Sequence, residues 1–222
     1  NGETWSSAQY LNRNSPTGGS YDYDPRLTSD GQGNWVAVWF SLSTLDGTIG
    51  SDRDILVARS SNGGLTWSAP SALNSYAETD TGDDVNAWVT TDGHGTWLTM
   101  WNTTETLGDT IGADRDILLS WSTDNGQTWT DAEVLEPDAV SDNGDDENPS
   151  ATTDAQGNWV VAWPAWAGLG NDIDLMVTTS AESGLLQFAP VVAAPMADLT
   201  RAEDSADEEL DLSNVFSDPG AL

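Results

Sequence analysis

The residues best suited to chemistry are acids set side by side or two apart. Asp52 and Asp54, Asp83 and Asp84, Asp114 and Asp116, Asp145 and Asp146, and Asp172 and Asp174 recur along the chain. Such spacing with flanking Gly offers hard oxygen ligands, and Ca²⁺ is the cation it suits. The ligand set expected from spacing is Asp52, Asp54, Asp83, Asp84, Asp114, Asp116, Asp145 and Asp146. No loop has EF-hand ligand spacing, so a solvated acidic rim with capped turns is an equal alternative. Two carboxylates at suitable separation, one with a raised pKa, would instead serve glycoside hydrolysis. Asp52, Asp84, Asp114 and Asp146 are the candidates for that role, and spacing selects no pair among them. Arg26, Trp88 and Trp166 are the candidate ligand contacts, because indoles stack on pyranose faces and guanidinium groups pair with acidic groups.

Composition narrows the partners. The chain has 222 residues, six Arg, no Lys, 37 acidic side chains and a formal net charge of −31. That charge repels nucleic acid and anionic lipid alike. No apolar run is long enough to span a membrane as a helix, so no insertion is expected. With no Cys, disulfides, thiolate metal sites and Cys nucleophiles are excluded. Acid without Lys suits a salty extracellular or cell-surface setting, where ions screen self-repulsion. Asp accounts for 27 of the acids and Trp for 12 residues, a bias toward turns and strands over helices.

What must position these residues is a repeat. Trp35, Trp97 and Trp159 are 62 apart, as are Trp39, Trp101 and Trp163, and Trp5, Trp67 and Trp129. Ile49-Gly50-Ser51-Asp52-Arg53-Asp54-Ile55-Leu56 returns as Ile111-Gly112-Ala113-Asp114-Arg115-Asp116-Ile117-Leu118, and Leu169-Gly170-Asn171-Asp172-Ile173-Asp174 arrives four residues early. In the first unit the pattern predicts strands at 25–29, 34–40 and 54–60 and a fourth from Thr66. Tandem four-stranded antiparallel units with Trp-rich faces bury those faces by packing radially, so the expected fold class is an all-β propeller. A β-sandwich would not need so strict a period. On this topology the first turns and the third hairpins share one rim. The two–three loops and blade connections, with the paired acids, share the other. Arg53 and Arg115 are expected to form a structural ion pair within each blade, and His94 to be a turn residue.

The hairpins Ser60-Ser61-Asn62-Gly63-Gly64-Leu65-Thr66-Trp67 and Ser122-Thr123-Asp124-Asn125-Gly126-Gln127-Thr128-Trp129 resemble the Asp-box, Ser-x-Asp-x-Gly-x-Thr-Trp, of the sialidase-like (BNR) propeller family. Asn62, Gly64, Thr66, Trp67, Asp124, Gly126, Thr128 and Trp129 are its structural positions. A degenerate third box starts at Ser180, with Phe188 standing for Trp, and Asn1 to Trp5 match the end of another. The resemblance implies an active centre on the opposite, acid-bearing rim and a carbohydrate or glycoconjugate as partner. It also implies an Arg triad, a Tyr nucleophile paired with Glu, and an Asp acid/base. Arg26 offers an early Arg in a scrambled setting, while the Tyr residues at 10, 21, 23 and 76 have no evident Glu partner. The expected function is therefore a glycan-directed module that binds rather than cleaves, with a glycoside hydrolase of exo-sialidase type as the alternative.

Three blades, near 25–73, 86–135 and 148–193, plus an outer strand near 4–11 do not close a ring of about 4–8 blades. The sequence is then expected to be a piece of a longer protein, or half of a six-bladed ring completed by a second copy. Residues 1–195 are assigned to the blades and 196–222 to an acidic tail. Ala202-Glu203-Asp204 and Asp211-Leu212-Ser213-Asn214-Val215-Phe216 in that tail resemble the opening of bacterial cadherin-like repeats.

Overall fold

Local turn chemistry marks out the repeated units. The Asp30 carboxylate accepts the N–H groups of Gln32 and Asn34, and Asp92 and Asp154 do the same in the next two units. Each unit thus begins with the same side-chain-closed turn. A computed structural model describes residues 4–12, 21–136, 139–141, 143–166 and 172–180. In it β1 (Asp22–Ser29), β2 (Trp35–Ser41), β3 (Asp54–Ser60) and β4 (Ser71–Ala72) form one antiparallel sheet in chain order. A second sheet repeats it with β5 (Asp84–Thr91), β6 (Trp97–Thr103), β7 (Asp116–Ser122) and β8 (Glu133–Val134). The third contains β9 (Ser150–Thr153), β10 (Trp159–Ala165) and β11 (Asp174–Thr179). These sheets are successive blades of a β-propeller. Phe188 and the tail 196–222 lie outside the described residues, as do Asn1, Gly2 and Glu3.

Two strand boundaries differ from the pattern-based expectation. The innermost strand begins at Asp22, not at residue 25, because a bulge between Tyr23 and Arg26 interrupts the ladder without ending it. Asp24 occupies the left-handed region there, with φ of 48°, and Asn86 and Asn148 return it at 56° and 51°. Short polar side chains tolerate this conformation. Beyond the bulge, pairing resumes as Asp22 with Ser41, Asp84 with Thr103 and Asp146 with Ala165. The outer strand is two residues long and does not start at Thr66. Just before it the Ser68 hydroxyl, not a carbonyl, accepts the Arg59 N–H, and Thr130 does the same for Trp121. A side chain thus replaces a rung of the ladder. Residues 4–12 form no strand, although Leu11 packs on the outer face of the first blade.

Burial explains the repeated indoles. Val36, Val38, Ile55 and Val57 of the first blade pack against Ala87, Val89, Trp97 and Trp101 of the second. Leu98, Met100, Ile117 and Leu119 of the second pack against Trp159, Val161 and Trp163 of the third. Hydrophobic burial between sheets is the dominant stabilising term in such an arrangement. The two outer faces lack a neighbouring sheet among the described residues. Trp39 on the first is covered by Leu11, Leu45, Ile49 and Trp67, and a cleft of ≈ 700 Å³ opens beside it. On the other, Leu175 is 78% exposed, whereas Ile117 at the same repeat position is 1% exposed.

Candidate functional site

Backbone bonds sort the loops into the two expected rims. Gly63 N–H donates to Gly33 O and Asn125 N–H to Gly95 O, which ties each third hairpin to the first turn of its blade. At the opposite end Gly50 N–H reaches Ala77 O and Gly112 N–H reaches Ala139 O, both at 2.6 Å. The two–three loops and the blade connections therefore meet on one rim, which carries the paired acids.

The third hairpins are closed by their own side chains. Asp124 accepts N–H bonds from Gln127 and Thr128 and hydroxyl bonds from Ser122 and Thr128, all within 2.7–2.9 Å. Burial alone would raise this carboxyl. The hydrogen bonds outweigh it and hold the pKa at about 2. In the first blade Asn62 takes the same place, accepting from Thr66 N–H and Ser60 Oγ and donating to Thr66 Oγ1. Gly64 and Gly126 adopt positive φ next in the turn. Trp129 packs into the interface between the first two blades, and Trp67 covers the outer face of the first. His94 lies in an exposed turn, its N–H on Asp92.

On the acid-bearing rim the carboxylates separate into three kinds. Asp84 and Asp146 are buried at blade interfaces. Trp163 Nε1 donates to Asp146 Oδ1 at 3.0 Å, as Trp39 Nε1 does to Asp22 Oδ1. In the middle blade the Trp101 indole lies beside Asp84, and Asn74 Nδ2 donates to Asp84 Oδ2 at 2.9 Å. Asn12 Nδ2 makes the same bond to Asp22 Oδ2 at 2.9 Å. An indole-to-Asp bond thus recurs in the first and third blades, and an amide from the preceding outer segment holds the same Asp in the first and second. Burial is the main reason the Asp84 carboxyl is pushed well above its ordinary pKa.

Asp83 and Asp145 are of the second kind, half-exposed partners of arginine. Arg53 is paired with Asp83, and Arg115 with Glu147 and, at 3.9 Å, with Asp145. These pairs join the two–three loop of one blade to the connection entering the next, and so correct the expectation of a pair within each blade. The third kind is a cluster. Carboxylate oxygens of Asp52, Asp54 and Asp80 lie within 4.8 Å of one another. Asp54 is 0% exposed, and neither of its oxygens has a hydrogen-bond partner among the described residues. Burial first, then repulsion from Asp52 and Asp80, pushes Asp54 up to about 7, with Asn74 pulling the other way. Burial, Asp52 and Glu105 push Asp80 up to about 7 as well. Asp114 and Asp116 repeat the first two positions in the second blade, and Asp172 and Asp174 stand at the start of β11.

The expected ligand contacts are dispersed. Arg26 is exposed on β1 beside the bulge. Trp88 is half-buried between inner strands, its Nε1 donating to Ala151 O at 3.3 Å. Trp121 packs edge-on against Trp159 with ring centroids 5.1 Å apart. Trp166 is 53% exposed in the third two–three loop. Sequence reasoning missed two features. One is Asp80, whose counterpart 62 residues on is Asp142, a match that comparison of 78–84 with 140–146 reveals. The other is an aromatic stack of Tyr21, Tyr23 and Phe40, with centroid separations of 6.3 and 5.2 Å, on the acid-bearing end of the first blade. Its tyrosines are 61% and 46% exposed. The register that pairs Tyr23 with Phe40 creates it, and no sequence period announces it.

No family model matches this sequence, and no curated protein does either. Solved structures do share the fold. The Hadza microbial sialidase Hz136 superposes with a TM-score of 0.50 at 18% identity, over 72% of this chain and 35% of its own. The α-L-arabinofuranosidase Arb93A from Fusarium graminearum, solved with an iminosugar inhibitor, gives 0.50 at 14% identity, over 71% and 46%. The chain thus spans between a third and a half of these proteins. At such identities the likeness is one of fold. Among the described residues no helix is long and apolar enough to cross a membrane.

Proposed function

We propose that this chain is a glycan-binding propeller module of a secreted or cell-surface bacterial protein, and that it engages carbohydrate on its acid-bearing rim. The observation that carries the reading is the Tyr21–Tyr23–Phe40 stack on that rim, in which both tyrosines are exposed. Exposed aromatic faces with polar tips are expensive to leave in water and suited to the apolar face of a sugar ring. Arg26 follows directly after the bulge and supplies a cation for an acidic glycan. The similar structures, a sialidase and an arabinofuranosidase, agree with a carbohydrate ligand.

Binding is favoured over hydrolysis because the rim groups have other engagements. Asp146 accepts the Trp163 indole, buried Asp84 accepts the Asn74 amide, Asp83 faces Arg53, and Asp54 is sealed from any substrate. Tyr76 is partly buried with its hydroxyl shielded, and burial together with Asp84 pushes its phenol further up, away from a nucleophilic phenolate. One observation favours the hydrolase alternative: burial and neighbouring acids push the Asp80 carboxyl up to about 7, the range of a general acid.

The test is affinity electrophoresis against sialylated and arabinose-containing oligosaccharides, paired with a panel of 4-methylumbelliferyl glycosides. Retardation that is lost in Tyr21→Ala and Tyr23→Ala, without turnover, is the expected result. Turnover abolished by alanine at Asp80 would replace binding with catalysis, and retardation unchanged in both tyrosine variants would remove the proposed surface.

A further inference from the structure

We propose that Asp52, Asp54 and Asp80, with the Asn74 amide oxygen, form a Ca²⁺ site that clamps the two–three loop of the first blade to the connection entering the second. The three acids come from two stretches that only the fold brings together. Asp52 and Asp54 flank the start of β3, and Asp80 lies in the connection before β5. Gly50 N–H on Ala77 O fastens these stretches side by side. A Cβ at position 50 would sit 2.4 Å from Asp52 Oδ1, so glycine leaves the room in which that carboxylate turns inward. Gly112 has the same relation to Asp114 Oδ1, at 2.2 Å, and the same bond to Ala139 O, so the second blade repeats the loop.

Two further observations point to a cation and not to a merely acidic surface. Asp52 Oδ2, both Asp54 oxygens and both Asp80 oxygens are shielded from solvent with no hydrogen-bond donor among the described residues. Independently, Asn74 is 3% exposed: its amide nitrogen donates to Asp84 and also faces Asp54, while its amide oxygen has no donor. A buried amide oxygen without a donor is a normal Ca²⁺ ligand. The local cation cannot serve, since Arg53, between the two aspartates in sequence, faces Asp83. Three carboxylates, each able to bind through one or both oxygens, and an amide oxygen suit the flexible set of six to eight oxygens that Ca²⁺ takes; Mg²⁺ requires a tighter octahedron and keeps its waters. Asp84, expected from spacing to be a ligand, instead accepts the Asn74 amide N–H beside the Trp101 indole.

Calorimetric titration of EDTA-stripped protein with CaCl₂ at constant ionic strength, together with thermal melts, tests the site. Saturable Ca²⁺ binding and a raised melting temperature are expected, with a much smaller response to MgCl₂. Asp54→Asn keeps the shape but removes a charge. It should raise the melting temperature in EDTA, and it should weaken Ca²⁺ binding at this site by more than about tenfold. Asp52→Asn, at the partly exposed ligand, should weaken it likewise if the buried variant proves hard to produce. Asp83→Asn, which lacks only the arginine contact, should bind Ca²⁺ as the unaltered chain does. Absence of Ca²⁺ binding in the folded protein would overturn the proposal. So would equal responses to Ca²⁺ and Mg²⁺, or a loss in Asp83→Asn as large as in Asp54→Asn.

Discussion

Gly64 and Gly126 occupy the same turn position in adjacent blades, with φ of 81° and 74°, yet their surroundings differ. A Cβ on Gly126 would meet Val36 Cγ2 of the preceding blade at 2.6 Å, while one on Gly64 would meet nothing within 4 Å. Substituting alanine at either site forces an L-residue into the left-handed region, at about 1–2 kcal/mol. At Gly126 the methyl group must also displace a Val36 side chain that is 0% exposed in the inter-blade core, and overpacking of this kind adds about 1–3 kcal/mol. Gly126→Ala should therefore lose more stability than Gly64→Ala, and the difference isolates the blade contact because the backbone strain cancels. Urea unfolding followed by Trp fluorescence measures both, with unchanged m-values required for the comparison. If the two variants lost equal stability, the second blade's hairpin would not lie against the first blade, and the interface described above would be wrong.

Two other predictions rest on the same geometry. Ile117→Ala should cost about 2–5 kcal/mol through an unfilled cavity, whereas Leu175→Ala at the equivalent but exposed position should change stability by less than about 0.5 kcal/mol in the same urea assay. The second concerns acid. Asp124 has a folded pKa depressed to about 2, so protons favour the unfolded chain. Its contribution is complete above the unfolded value of about 4 and disappears as pH falls through about 2. Because the carboxylate is near the surface, solvent screening keeps that contribution below about 1 kcal/mol. The urea midpoint of Asp124→Asn should fall less steeply across that window than that of the unaltered chain; parallel curves would refute the assignment.

Much of the architecture could be read directly because it is written in local, periodic chemistry. Indoles at one interval, Asp-closed first turns and glycines at left-handed turn positions act within a few residues, so each unit states its own strand–turn plan. The rim on which the acids gather also follows from strand alternation alone. Individual carboxylates were less legible. Asp84 and Asp146 look the same in sequence as Asp52 and Asp54, because a run of letters does not show which oxygen meets a Trp from the next strand and which is buried without a donor.

The 62-residue period by itself determined that the chain is a succession of antiparallel blades with tryptophans between them, since burial of a repeated apolar face leaves radial stacking as the solution. Only tertiary structure decided the convergence of Asp80 and Asn74 on the Asp52–Asp54 loop, and of Tyr21, Tyr23 and Phe40 into one stack. Both depend on how the path between blades and the bulged inner strand fold in space, and residue type carries no record of either. Contacts made within a turn are fixed by neighbours in the chain, whereas contacts made across blades are fixed by packing.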